Sequence, residues 1–248
     1  MRFFFKKTVL AFFSVFFLSF SALSLAIEHS IPNFTAKYIL NHNSIEIGRI
    51  TLSVKALDDQ QYQLVSATQT SGLLAFIRDD EVVERSLFEL TKKHIRPLAY
   101  QYKQTIGDDL KDIRLQFDWQ NLTLTNTVKG RDWSMHISEG VLDKALMQVA
   151  LMLDLQEAEK TLNYQIADGG KLKEYTFTHL GTETITVAGQ PYETIKLARK
   201  KDDKPLITYY WCATSLHNLP VLLKREKTYG TFEMRLLKVK FTAEKIKP

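Results

Sequence analysis

From Phe34 onward, apolar residues recur at every second position over most of the chain, the period of a strand with one buried face. Phe34, Ala36, Tyr38 and Leu40 share one face, and His42-Asn43 makes a tight turn after them. The next strand begins with Ile45 and Ile47 and resumes at Ile50, Leu52 and Val54 in the opposite phase. A β-bulge at Gly48 accounts for that slip, because one extra residue re-aims every side chain beyond it. Alternation predicts further strands over 61–70, 82–90, 94–103, 113–119, 122–128 and 131–137, joined by turns such as Gly107-Asp108-Asp109 and Lys129-Gly130. A second set covers 162–167, 171–179, 182–188, 192–199, 205–212, 221–227 and 231–241, with one more slip between Leu236 and Val239.

Only Gly140 to Leu155 (GVLDKALMQVALMLDL) has apolar residues at helical spacing. Val141, Leu142, Ala145, Leu146, Val149, Met152 and Leu153 form one stripe, while Lys144 and Gln148 fall away from it. Ser138 is placed to cap this helix, and Asp143 in its first turn suits the helix dipole. The expected fold is mainly β: an antiparallel meander rolled into a β-roll or open barrel, with one core helix at about 140–155. Rolling or closing hides the sheet edges. With no Pro- or Ser-rich linker, residues 27–248 read as one β-rich domain in which the helix separates two strand-rich halves.

The first 26 residues follow another logic. Arg2, Lys6 and Lys7 precede an apolar run from Thr8 to Leu25, and Ser24-Leu25-Ala26 puts small residues at −3 and −1 of a cut between Ala26 and Ile27. That is the layout of a secretory signal peptide; an uncleaved anchor of similar length is the rival reading. Export would place the protein in the periplasm. Cleavage takes away eight of the 15 phenylalanines and three of the 33 basic residues, leaving 30 basic against 28 acidic ones. The sequence pI of 9.1 is therefore partly a property of the leader. A balance of +2 with interspersed charges lacks the basic footprint of nucleic-acid binding. No second apolar run of spanning length follows, so no transmembrane segment is expected after cleavage.

In order along the chain, GLLAFIRDDEVVERS (72–86), FDW (117–119), GVLDKAL (140–146), DGGKLKEYTF (168–177) and YYWCATSLHNLPVLLKREK (209–227) resemble a family of exported Gram-negative bacterial proteins known only as a domain of unknown function. The resemblance spans nearly the whole mature chain and rests on the order and spacing of short motifs. It implies a periplasmic β-roll or open β-barrel and brings no catalytic residues with it. Cys212-Ala213-Thr214 departs from the family pattern, in which Ala followed by Pro is expected.

Chemistry is sparse in this sequence. The six histidines form no H-x-H or H-E-x-x-H pair and there is one cysteine, so neither a metal site nor another cofactor is expected. There is no G-x-S-x-G, and glycines at turns leading into strands do not make a phosphate loop. Cys212 reads as a buried thiol, with a Cys212/His217 pair or an intermolecular bridge as alternatives. The densest polar cluster is Arg78, Asp79, Asp80, Glu81, Glu84 and Arg85. Adjacent turn carboxylates are normally solvated, but Glu84 shares a face with Val82 and Phe88 and needs a partner, which Arg78 or another arginine would supply.

Glu84 and Arg85, with the aromatics Trp119, Trp133, Tyr209 and Trp211, are the candidate ligand-binding residues. These aromatics, together with Tyr210, would line an apolar cavity or fill the core. The sequence favours a non-catalytic periplasmic protein that binds an apolar or lipid-like ligand or an envelope partner. A hydrolase using Asp79, Asp80 or Glu84 on envelope material is one alternative, and an envelope assembly or structural factor with an exposed strand edge is another. A single cysteine cannot close an internal disulfide, and a buried thiol does not bridge two chains. The protein should run as a monomer on both reducing and non-reducing gels, and a dimer confined to the non-reducing gel would overturn the buried-thiol reading.

Overall fold

A computed structural model describes residues 31–58, 60–76, 80–91, 94–155, 161–201 and 204–242. The leader, its Ala26/Ile27 junction, Arg78 and Asp79 lie outside the described residues. The first half of the fold consists of β1 (Asn33–His42), β2 (Ile45–Ala56), β3 (Gln61–Thr70), β4 (Glu81–Leu90), β5 (Ile95–Ile106), β6 (Asp109–Asp118), β7 (Thr123–Val128) and β8 (Arg131–His136). A two-residue β9 (Leu142–Asp143) and one helix, α1 (Met147–Asp154), follow. The second half is β10 (Thr161–Asp168), β11 (Lys171–Val187), β12 (Gln190–Lys201), β13 (Lys204–Ala213), β14 (Leu219–Lys227) and β15 (Gly230–Thr242).

All fifteen strands belong to one open sheet in the order β8-β7-β6-β5-β4-β3-β2-β1-β15-β14-β13-β12-β11-β10-β9. Neighbours pair antiparallel except β9 and β10, which run parallel. The first and last long strands meet in the middle: Phe34 lies opposite Phe241 and Tyr38 opposite Leu236. Both expected slips are present. The β1–β2 register shifts between Leu40 and Asn41, opposite Gly48 and Glu46. The β1–β15 register shifts between Lys37 and Tyr38, opposite Lys238 and Leu236. The expected break at Gly181 is instead a bulge inside the continuous β11, where Gly181 takes φ +114° and the pairing to β12 shifts. Gly72–Phe76, between β3 and β4, is a 3₁₀ turn.

The sheet rolls until its two ends overlap. Phe88 in β4, Tyr62 and Leu64 in β3, Val54 in β2, Phe34 and Tyr38 in β1, Leu197 in β12 and Phe177 in β11 point inward and pack around α1. A smaller cluster joins Leu115, Phe117 and Leu124 of β6–β7 to Ile137, Val141 and Ala167, with Leu172 against it. In β10–β11 the core-facing positions are Tyr164, Ile166, Tyr175 and Phe177, so the neighbours Ala167 and Leu172 face the other way. The inner face of β6–β8 therefore lies on the outer face of β10–β11, as in a scroll. Trp133 of β8 closes the overlap on Gly170 in the β10–β11 turn. A Cβ there would lie 2.3 Å from the indole, and the φ of +73° also demands glycine.

The helix occupies only the second half of its predicted stretch. Leu142 and Asp143 are drawn into β9 beside Ile166 and Ala167, and Asp143 folds the following turn. Its Oδ1 accepts from the backbone N–H groups of Ala145 and Leu146 at 2.9 and 3.0 Å. Ser138 makes no cap, because its hydroxyl donates to Gln165. Met147, Val149, Ala150, Leu151, Met152 and Leu153 are all buried, so α1 has apolar surroundings on nearly every side. Gln148 turns its amide toward the buried Tyr38 hydroxyl rather than toward solvent. The helix is a plug inside the roll, and Leu151, with no exposed surface, sits at its centre. Leu151→Ala should cost about 2–5 kcal/mol of unfolding free energy, measurable by urea denaturation; a loss well under 1 kcal/mol would mean that α1 does not fill the core.

Candidate functional site

Because hairpin connections alternate between the ends of a meander, the roll has two chemically distinct mouths. One carries the connections after β2, β4, β6, β11 and β13; the other carries those after β1, β3, β5, β7, β10, β12 and β14. Helix α1 fills the interior toward the first mouth. Beside it lies a cavity of about 220 Å³, lined by Leu90, Ile95, Leu142, Ala150, Leu153 and Tyr164 among others. That is smaller than the usual 300–1,000 Å³ of small-molecule pockets, and none of the six residues expected to bind ligand lines it.

Toward the second mouth the inward positions become polar and charged. Ser86 and Glu84 continue the inner row of β4 beyond Phe88, opposite Tyr100 and Tyr102 of β5. Their partners arrive on the rolled-in segment at β9. Ser86 Oγ donates to Asp143 Oδ2 at 2.5 Å, Tyr100 Oη donates to Glu84 Oε1 at 2.6 Å, and Lys144 Nζ reaches the same Glu84 oxygen at 3.4 Å. Lys144 also lies over the Tyr102 ring at 5.3 Å. Next along the wall, Lys173 of β11 donates to Asp168 at 2.5 Å.

Burial pushes the Asp143 carboxyl up to about 7, against the hydrogen bonds from Ser86, Leu146 and Ala145 that favour the anion. Burial and the Glu84 carboxylate push the Tyr100 phenol up, so it stays a donor. Burial alone would lower Lys144, but Glu84 and Asp168 outweigh it and raise its pKa.

The remaining wall is basic. Arg199 of β12, Thr208 of β13 and Arg225 of β14 stand side by side in register. The Thr208 hydroxyl accepts from Arg199 Nη2 at 3.3 Å and from Arg225 Nε at 2.9 Å. The Arg199 guanidinium lies 4.8 Å from the Tyr175 ring centre and 5.7 Å from that of Tyr210. Only 9% of Arg199 is exposed, and its buried Nε–H has no hydrogen-bond acceptor among the described residues. Arg225 is half-buried; desolvation and then the neighbouring Arg199 charge lower its pKa.

The sequence-derived candidates are scattered by this geometry. Glu84 is inside, and its partners are Tyr100 and Lys144. Arg85 points to the exposed outer face. Trp119 donates its indole N–H to the Pro97 carbonyl and stacks on Phe117. Trp133 is 40% exposed on the outer overlap. Tyr209 and Trp211 share the face of β13 opposite to Thr208 and Tyr210, where Trp211 donates to Glu183 beneath the Lys196 ammonium. These aromatics do not converge on one cavity. Asp80 sits in the connection before β4, its backbone N–H bonded to Thr70. Cys212 is fully buried among apolar side chains, and desolvation raises its thiol pKa, the opposite of what a Cys212/His217 nucleophile needs. His217 packs on Phe241. No cluster of three or more His, Cys, Asp or Glu side chains suited to a metal occurs among the described residues.

Tyr100, Tyr102, Tyr175, Arg199, Thr208 and Arg225 are not singled out by the sequence; Asp143 is marked there only as a helix first-turn carboxylate and Tyr210 only as an aromatic of a cavity or the core. One signal was available: Arg199 is in phase with Ile195 and Leu197, and Arg225 with Leu223, so each charge occupies an inward position of its strand.

Asp143 gives this site a pH signature. Its folded pKa lies above that of an exposed aspartate near 3.9, so the folded state holds the proton more tightly. The resulting stabilisation is complete below about pH 4 and is lost as pH rises through about 7. Between pH 5 and 8 the wild type should lose about 2–3 kcal/mol from this group. Asp143→Asn, which keeps the backbone-accepting oxygen, should abolish that component in urea titrations; equal pH slopes for both proteins would exclude a raised Asp143.

A family model described as "Protein of unknown function (DUF3108)" matches residues 33–237. No curated protein matches the chain. Among solved structures, a β-barrel-like protein of the domain of unknown function DUF1849 from Brucella abortus superposes with a TM-score of 0.59 at 7% identity, covering 86% of this chain and 99% of that one. A second, from Bacteroides fragilis and described as exported with a YmcC-like fold, has a TM-score of 0.35 at 9% identity over 85% of this chain and 97% of its own. The first likeness establishes a barrel-like β-fold and nothing of function. With more than half of its length matched by that one model, the chain belongs to the DUF3108 family of proteins of unknown function.

Proposed function

We propose that this chain is a non-catalytic binding protein of the bacterial cell envelope whose rolled sheet takes an amphipathic, lipid-like ligand. The observation that carries this reading is the division of the roll's interior. One half is apolar and plugged by α1; the other is lined by Glu84, Lys144, Lys173, Arg199 and Arg225. A ligand with an anionic or polar head suits the charged half, and since α1 fills the apolar half its apolar body stays at the open mouth, beside the exposed Phe76 and Tyr229. The apolar leader Thr8–Leu25 supports export, and no helix among the described residues is long and apolar enough to cross a membrane.

The hydrolase alternative draws less support. Glu84 is engaged by Tyr100 and Lys144, and Asp143 is buried and held by three donors. Neither is presented as a free general base. Protein purified from the periplasm without detergent should release a lipid on solvent extraction, detected by mass spectrometry, and a fluorescent fatty-acid analogue should bind it saturably. Empty extracts together with no probe binding would overturn the reading.

A further inference from the structure

Among the described residues, every inward carboxylate of the polar half has a cationic or hydrogen-bonding partner, but the basic wall has no anion. Glu84 meets Lys144, Asp168 meets Lys173, and Asp143 is satisfied by Ser86 and two backbone N–H groups. Arg199 and Arg225 make no ion pair with a carboxylate among the described residues, although they converge on one hydroxyl. Holding two guanidinium groups together with one of them desolvated is unfavourable unless an anion completes the set. Lys227, two residues beyond Arg225 on the same face, lies 5.0 Å from the Phe232 ring centre and adds a third cation toward the mouth. Planar guanidinium forks flanking a hydroxyl suit an oxyanion with several acceptor oxygens, above all a phosphate group.

The surroundings of this mouth identify the source of the phosphate. Ile45, Phe76, Ile106, Leu110 and Tyr229 lie in or beside the connections at this end, with Phe76 and Tyr229 each 89% exposed. At the opposite tips, Leu57 is the one large apolar side chain of comparable exposure among the described residues. Exposed aromatic and aliphatic tips around a cationic centre are what a protein offers to the interface of an anionic bilayer. A free phosphate would give those tips no role.

We infer that the Arg199–Thr208–Arg225 row binds the phosphate of an anionic phospholipid headgroup while the tips carrying Ile45, Phe76, Ile106, Leu110 and Tyr229 meet the bilayer. This rests on the lipid-binding reading and names its headgroup site. Thr208 orients both forks, Arg199 supplies the buried half of the site, and the half-exposed Arg225 and Lys227 guide the headgroup in.

The test is flotation of the mature protein with vesicles of phosphatidylcholine alone or mixed with phosphatidylglycerol, in parallel with thermal shifts in inorganic phosphate at fixed ionic strength. Wild type should float with the phosphatidylglycerol vesicles. Arg225→Gln should bind them about tenfold more weakly or worse, the scale of a lost hydrogen bond to a charged group. Lys227→Gln should weaken binding less, and Phe76→Ser with Tyr229→Ser should reduce flotation without changing the response to phosphate. Matched melting temperatures exclude misfolding, and Lys227→Gln serves should Arg225→Gln fail to fold. A phosphate response that depends on Arg225 without vesicle binding would overturn the lipid source, and flotation unchanged in both charge variants would overturn the site. If Arg225→Gln retains the same co-purified lipid as wild type, the headgroup site fails while the ligand-binding reading stands; wild type with neither co-purified lipid nor probe binding removes both.

Discussion

An open sheet of fifteen strands has two edges, and the whole molecule is arranged around hiding them. The contact that makes this possible is Asp143 with Ser86, a hydrogen bond between the last strand of one end and the interior of β4. It is made by a carboxylate that also folds the turn leading into α1. One side chain thus joins the roll, orients the plug and fixes Lys144 opposite Glu84. Such a buried carboxylate is costly unless every oxygen is satisfied; here three donors meet it.

The overlap of β6–β8 on β10–β11 follows from the same need. A barrel would remove the edges by joining them; this sheet instead slides one end over the other and seals the seam with Leu115, Phe117, Leu124, Ile137 and Val141. Trp133, half in solvent, completes the seam because Gly170 leaves room for its indole. The interior left to the roll is short on volume at the α1 end and rich in charge at the other. The fold therefore concentrates chemical specificity at one mouth, while the opposite half supplies cohesion.

Much of the architecture was legible in residue order. Alternation located most of the strands, and the phase slips at Gly48 and before Val239 placed the bulges of β2 and β15, because a period of two leaves no other way to keep one face apolar. The helical spacing at 140–155 marked the one helix. It overran at its start because Val141, Leu142 and Leu146 are buried whether or not they are helical, and periodicity reports burial rather than hydrogen bonding. Glu84 was legible as a carboxylate in need of a partner, but not its partners: Lys144 is 60 residues away and arrives only when the sheet rolls.

The sequence by itself determined a β-meander with one interrupting helix, a hydrophobic leader and the absence of familiar catalytic motifs. Those properties depend on local period and composition. Tertiary structure alone decided which charges meet. Arg199 and Arg225 are separated by 26 positions and become neighbours through Thr208 because three consecutive strands pair in register. The aromatics told the reverse story. Trp119, Trp133, Tyr209 and Trp211 looked like one cavity lining, yet strand parity and the overlap of the sheet send them to different surfaces. Which face a strand turns inward is written in its alternation; what stands across from it depends on how far the sheet curls.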